Sequence, residues 1–121
     1  MKEADLKRAV NDYLQILMNQ GKLYYDQLNS GEIVALFGKS RRRIKLSREG
    51  TADFYVLQTT ELWDGVHATR IPACRVIFLE LKSESGRQSP EQGAFRILVE
   101  MQGAEYCLIR SIDELEAILG V

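Results

Sequence analysis

Histidine is almost missing from this chain: His67 is the single copy in 121 residues, and cysteine (Cys74, Cys107) and proline (Pro72, Pro90) occur twice each. A zinc site or a histidine-metal nuclease finger therefore lacks its ligands. Two cysteines without metal-ligand neighbours cannot build a disulfide framework, and each is expected as a small buried apolar side chain. No Gly-rich phosphate loop is present, which argues against an ATPase. No apolar run approaches the ~20 residues of a membrane-spanning helix. The opening Met1-Lys2-Glu3-Ala4-Asp5 has no signal-peptide character, so a cytoplasmic setting without a membrane partner is expected. What is present is ordinary for a globular chain: 45% hydrophobic and 27% charged residues, enough for one core and a single domain spanning 1–121.

The net charge of −1 hides an uneven distribution. Lys39, Arg41, Arg42, Arg43, Lys45 and Arg48 form a basic run with no acid until Glu49, while the chain after Glu100 is mostly acidic. Such a run can hold a polyanion, gaining affinity from counterion release that falls steeply with salt. A solvated charged face is the alternative. Arg41, Arg42, Arg43, Lys45 and Arg48 are accordingly candidate DNA-binding residues.

Chemistry concentrates in residues 76–82, an apolar run that reads as a buried strand yet carries Glu80 and Lys82. Strand side chains alternate faces, so these two share one face while Ile77, Leu79 and Leu81 take the other. Ionisable groups there cost desolvation energy unless paired or metal-bound. Upstream, Gly50-Thr51-Ala52-Asp53 leads into a second apolar strand from Phe54. If the strands are neighbours, Asp53 and Glu80 converge on one hard cation, Mg²⁺ or Mn²⁺, whose remaining shell takes water and phosphate. Lys82 beside them can position an attacking water and offset charge on phosphorus. Glu-x-Lys alone is a weak signal, and its placement on a strand strengthens it.

Two segments, Glu80-Leu-Lys-Ser-Glu-Ser-Gly-Arg-Gln-Ser-Pro-Glu-Gln92 and Gly103-Ala-Glu-Tyr-Cys-Leu-Ile-Arg-Ser-Ile-Asp-Glu-Leu115, resemble the VRR-NUC (virus-type replication-repair nuclease) family of the PD-(D/E)XK, restriction-endonuclease-like superfamily. The resemblance runs from Glu3 to the closing helix. It implies an α/β fold with a central mixed β-sheet flanked by helices. It also implies Asp53, Glu80 and the Leu81 backbone carbonyl as metal ligands, Lys82 as the catalytic lysine, Gln92 as the glutamine of the following helix, and Glu3 as the acid of the N-terminal helix. The implied activity is Mg²⁺- or Mn²⁺-dependent hydrolysis of DNA phosphodiesters, on branched, nicked or four-way DNA, by a homodimer in a viral or bacterial host cytoplasm. A non-catalytic DNA-binding or assembly module that kept the fold is the alternative. The chain departs from the family pattern in two places. Ala52 stands where the family usually has proline, and a long connection, 58–75, containing Trp63-Asp64-Gly65 and Ile71-Pro72, replaces a tight turn.

Around this site, Leu6, Val10, Tyr13, Leu14 and Leu17 predict an amphipathic helix over 2–18, stopped at Gly21. Glu3 lies one turn before Leu6, where it either serves the site or only favours the helix dipole. Tyr24-Tyr25 and 33–37 read as short strands around an Asn29-Ser30-Gly31 turn. Ser89-Pro90-Glu91-Gln92 starts a helix, and Gln92 either closes a capping box or faces the phosphate. Ala94, Phe95, Leu98 and Met101 are expected as that helix's core stripe, and Gly86 as a mobile loop at the mouth of the site. Residues 76–109 then form a strand, helix, strand unit with a parallel pairing. Ser111-Ile112-Asp113-Glu114 is expected to be another capping box, opening the last helix.

Overall fold

The computed structural model describes residues 2–28 and 31–121, without the side chains of residues 31–35, 37 and 44–46. The turn residues Asn29 and Ser30, and the side chain of Lys45, lie outside the described part.

Helix α1 (Glu3–Asn19) buries Leu6, Val10, Leu14 and Leu17, a stripe at helical spacing, and carries Glu3 and Asp5 in its first turn. Strand β1 (Tyr24–Gln27) follows, then β2 (Gly31–Phe37), β3 (Ser40–Ser47), β4 (Phe54–Asp64) and β5 (Thr69–Leu81). Helix α2 (Pro90–Met101), strand β6 (Glu105–Ile109) and helix α3 (Ile112–Leu119) complete the chain. The main sheet has four strands in the order β1-β4-β5-β6. Its first two pairings are antiparallel and β5–β6 is parallel, so the protein is mixed α/β with a mixed sheet flanked by helices. The parallel pairing across α2 agrees with the strand, helix, strand reading of 76–109. Strands β2 and β3 form a separate two-stranded ribbon.

One register places the core. Phe54 pairs with Leu79 and Val56 with Ile77, so all four point to the face covered by α1 and α3, where all are buried. Each fully buried side chain of this kind contributes about 1.5–3 kcal/mol relative to exposure. The next positions, Tyr55, Phe78 and Glu80, take the opposite face. There α2 lies across the sheet, with the Phe95 ring edge-on to Phe78 at 5.2 Å between centroids. At the far end of the core, Arg75 binds both Glu105 carboxylate oxygens (2.6 and 2.8 Å), the Gln58 side chain (2.8 Å) and the Ile118 carbonyl (3.2 Å). It thereby ties three strands, β4, β5 and β6, to the C-terminal end of α3.

Several expectations need correction. The long connection 58–75 is mostly strand: β4 and β5 continue their pairing to Asp64 and Thr69 as a long hairpin arm. Asp64 closes its tip, accepting from the backbone of Val66 (2.9 Å) and lying 2.6 Å from the His67 ring. Cys74 sits on this arm and is exposed, and Cys107 is only half-buried. The α2 stripe is not core: no α2 residue is buried, and Leu98 and Met101 are 56% and 73% exposed. Periodicity correctly named an apolar face, but among the described residues no further layer covers it. The α3 start is half a capping box. Ser111 accepts from the Glu114 N–H, but the Glu114 carboxylate turns to the Arg110 N–H instead.

Candidate metal and phosphate site

The β4–β5 pairing brings the predicted acids together. Asp53 precedes β4, its N–H donating to the Leu79 carbonyl (3.0 Å) and its Oδ2 accepting from the Leu81 N–H (2.8 Å). The Asp53 side chain is therefore held against the residue following Glu80. Gly50 sets the approach of this loop. With φ at +86° it is in the left-handed region, and a β-carbon there would stand 2.4 Å from the Glu91 carbonyl carbon and oxygen. Only glycine lets the loop lie flat on the first turn of α2.

Glu80 is the unusual member, a carboxyl only 2% exposed. Its Oε1 is contacted twice, by a short hydrogen bond from the Gln92 side-chain amide and by Lys82 Nζ at 3.8 Å. Its Oε2 is buried with no hydrogen-bond partner. Burial first, then the Asp53 charge, pushes the Glu80 carboxyl up to about 8, against the pull of Lys82 and Gln92, with Glu3 adding a smaller upward push. In the absence of a bound cation the group is thus largely protonated at neutral pH, and its contact with Lys82 is not a fully formed ion pair.

Gln92 closes the capping box and also reaches the acid of the candidate site. Its Oε1 accepts from the Ser89 N–H (2.8 Å) and its N–H donates to Ser89 Oγ (3.1 Å), a complete capping box. Its amide nitrogen is left free by that cap to hold Glu80. Glu3 is exposed on the first turn of α1, close enough for its charge to be felt at Glu80. Among the described residues, no three His, Cys, Asp or Glu side chains form a ready metal-binding group. The orphaned Oε2 of Glu80 beside Asp53 is nonetheless the donor that a hard cation requires, so the residues fit such an ion.

Two contributors had no sequence signal. Lys7, one helical turn after Glu3, lies 3.7 Å from Asp53 Oδ1. Arg110 donates to the carbonyls of Ser83 and Gly86, which ties down the segment after Lys82. The loop expected to be mobile at Gly86 is therefore anchored. Of the basic run, Arg41, Arg42, Arg43 and Arg48 are all exposed, the first three on β3 and the last just beyond it.

Compared with known protein families, curated proteins and solved structures, the chain matches none. No helix among the described residues is long and apolar enough to cross a membrane.

Proposed function

We propose that this protein is a metal-dependent DNA endonuclease with a restriction-endonuclease-like core, acting on branched, nicked or four-way DNA. The observation that carries the reading is the Glu80 carboxyl: buried, with one oxygen unpartnered, beside Asp53, Lys82 and Gln92. Burying an acid in this way costs stability, and a cation would offset that cost. Asp53, Glu80 and the Leu81 carbonyl would hold Mg²⁺ or Mn²⁺, and the bound ion would acidify a water and neutralise charge on the scissile phosphate. Gln92 fixes Oε1 and leaves Oε2 turned to the ligand. Lys82 supplies an ammonium beside the reacting phosphate. Lys7, 3.7 Å from Asp53 Oδ1, would compete with such an ion for that oxygen.

A homodimer is the assembly that the resemblance implies, and the outer side of α2 offers a face for the second copy. Ile97, Leu98 and Met101 are exposed there, beside a cleft of about 660 Å³ lined by Leu62, Val76, Phe78 and Leu98 among others. The cleft shares no lining residue with the carboxylate site. Helix α2 packs on the sheet through Phe95 but leaves Ile97, Leu98 and Met101 exposed, an apolar face that a second copy would cover. Leu98→Asp should convert a dimer to a monomer by sedimentation, and an unchanged mass would remove this face from consideration.

The second reading, a DNA-binding or assembly module without catalysis, is favoured by the Lys7–Asp53 contact, which sets a cation of the chain itself against one of the two acids. Purified protein assayed on linear, nicked, flapped and four-way DNA, with and without Mn²⁺, separates the two. Cleavage lost in Asp53→Ala and Glu80→Ala supports the enzyme. Full activity in either variant removes the assigned ligands, and binding without cleavage by the unaltered protein establishes the module.

A further inference from the structure

The β2–β3 ribbon is a sheet separate from the four-stranded one. Among the described residues it pairs only with itself, and two-stranded ribbons are marginal in isolation. Its chemistry is as distinctive as its isolation. The run from Lys39 to Arg48 carries six positive charges and no acid, in a chain whose net charge is −1, so the remaining residues carry −7. A polyanion approaching this protein is attracted to the ribbon and repelled elsewhere.

The ribbon is also rooted at the candidate site. The residue after β1, Leu28, donates its N–H to the Asp53 carbonyl at 2.8 Å. On the returning side, the Thr51 N–H and hydroxyl both bond the Arg48 carbonyl, two residues before Asp53. Both ends of the ribbon therefore join the body beside the same carboxylate.

Strand alternation places Arg41 and Arg43 on one face and Arg42 on the other, and all three are exposed. Arginines on both faces suit a channel with two anionic walls better than a flat membrane or an acidic protein surface. The DNA major groove is such a channel, about 12 Å wide and able to admit a two-stranded ribbon, whereas the minor groove is only about 6 Å wide. The eight residues of β3 reach roughly 26 Å, most of one turn of duplex.

We infer that the β2–β3 ribbon enters the major groove of duplex DNA next to the candidate cleavage site, with Arg41 and Arg43 on one phosphate wall and Arg42 on the other. This rests on the DNA-directed reading of the site but assigns a different element and a different role, since the ribbon fixes where along the duplex Asp53 and Glu80 come to lie.

The test is equilibrium binding of a labelled DNA duplex in EDTA, so that no metal chemistry contributes, with the same sequence as double-stranded RNA alongside. The triple change Arg41→Gln, Arg42→Gln, Arg43→Gln should weaken DNA binding roughly tenfold or more and lower the salt slope by about 0.9 for each phosphate no longer neutralised. Methylating guanine N7, a major-groove atom, should interfere with binding by the unaltered protein over about half a turn, a readout that requires no variant. RNA, whose major groove is too narrow and deep, should bind more weakly. Equal DNA and RNA affinity, absent N7 interference, or an unchanged salt slope in the triple variant would each overturn the inference. Calorimetric titration with Mn²⁺ keeps the two proposals apart. Ribbon-dependent binding by a protein that takes up no Mn²⁺ sinks the hydrolase and leaves the ribbon standing, while metal-dependent cleavage unaffected by the triple change does the opposite.

Discussion

Replacing Glu80 by glutamine keeps the side chain's shape and removes its charge, and the structure fixes the sign of the outcome. In the folded protein the carboxyl is pushed from 4.5 up to about 8, chiefly by burial and by Asp53. The folded state then holds a proton that the unfolded chain releases. Stability from this group is complete below pH 4.5 and is lost as pH rises towards 8. That interval, at about 1.4 kcal/mol per pH unit, sets a ceiling of roughly 5 kcal/mol. Relaxation around a buried charge reduces such gains to about 1–3 kcal/mol. The metal-free Glu80→Gln protein should therefore be more stable than the parent at pH 8. A gain of about 2 kcal/mol corresponds to a Tm increase of roughly 6–10 °C for a chain this long. The gap should close towards pH 5, where the parent carboxyl is protonated. Thermal melts by circular dichroism across this pH range, with and without Mn²⁺, provide the measurement, and only the parent should gain stability from Mn²⁺. If Glu80 were instead the structural partner of Lys82, its loss would strand a mostly buried ammonium and cost about 3–5 kcal/mol. A Glu80→Gln protein that melts lower than the parent at pH 8 would refute the reasoning.

The remaining expectations concern neighbouring residues. Lys82→Ala should lower the cleavage rate by at least about a hundredfold while changing DNA affinity little, measured by single-turnover kinetics beside binding; equal losses in both would make Lys82 a binding residue only. Lys7→Ala removes the cation that competes for Asp53 and should tighten Mn²⁺ binding several-fold by calorimetry, a shift of about 0.5–1 kcal/mol for a half-exposed pair. Weaker binding would show that Lys7 supports the site rather than guarding it. Arg75→Ala should cost about 2–3 kcal/mol in urea unfolding, because it strands Glu105, Gln58 and the end of α3 together. A loss below about 0.5 kcal/mol would place that network among inconsequential surface contacts.

Much of the site was readable because strand alternation is a local rule. Ile77, Leu79 and Leu81 inward with Glu80 and Lys82 outward needs only a period of two, and the Ser89–Gln92 cap needs only four residues. What failed depended on what lies above an element. The α2 stripe is apolar at the right spacing, yet no sequence pattern says whether a second layer covers it. Cys74 belongs by type to an interior, but its strand runs past the end of the helices. The stretch 58–75 read as a connection because Asp64, Gly65 and Pro72 are turn or breaker residues. Asp64 and Gly65 mark only the tip, while Pro72 is tolerated within the paired arm opposite Glu61. Lys7 and Arg110 reach their partners across the fold, and nothing near them in sequence announces it.

The long β4–β5 arm has one further implication. Its tip, at residues 65–68, is separated from Asp53 and Glu80 by many rungs of an unbroken ladder. Adding or deleting matched pairs of residues there would change how far the arm projects while leaving every rung below it aligned. Reach can therefore drift between descendants of this chain at little cost, whereas a single unmatched residue below the tip would turn the acid inward and the leucines out. Lineages should vary freely in arm length and hardly at all in its parity.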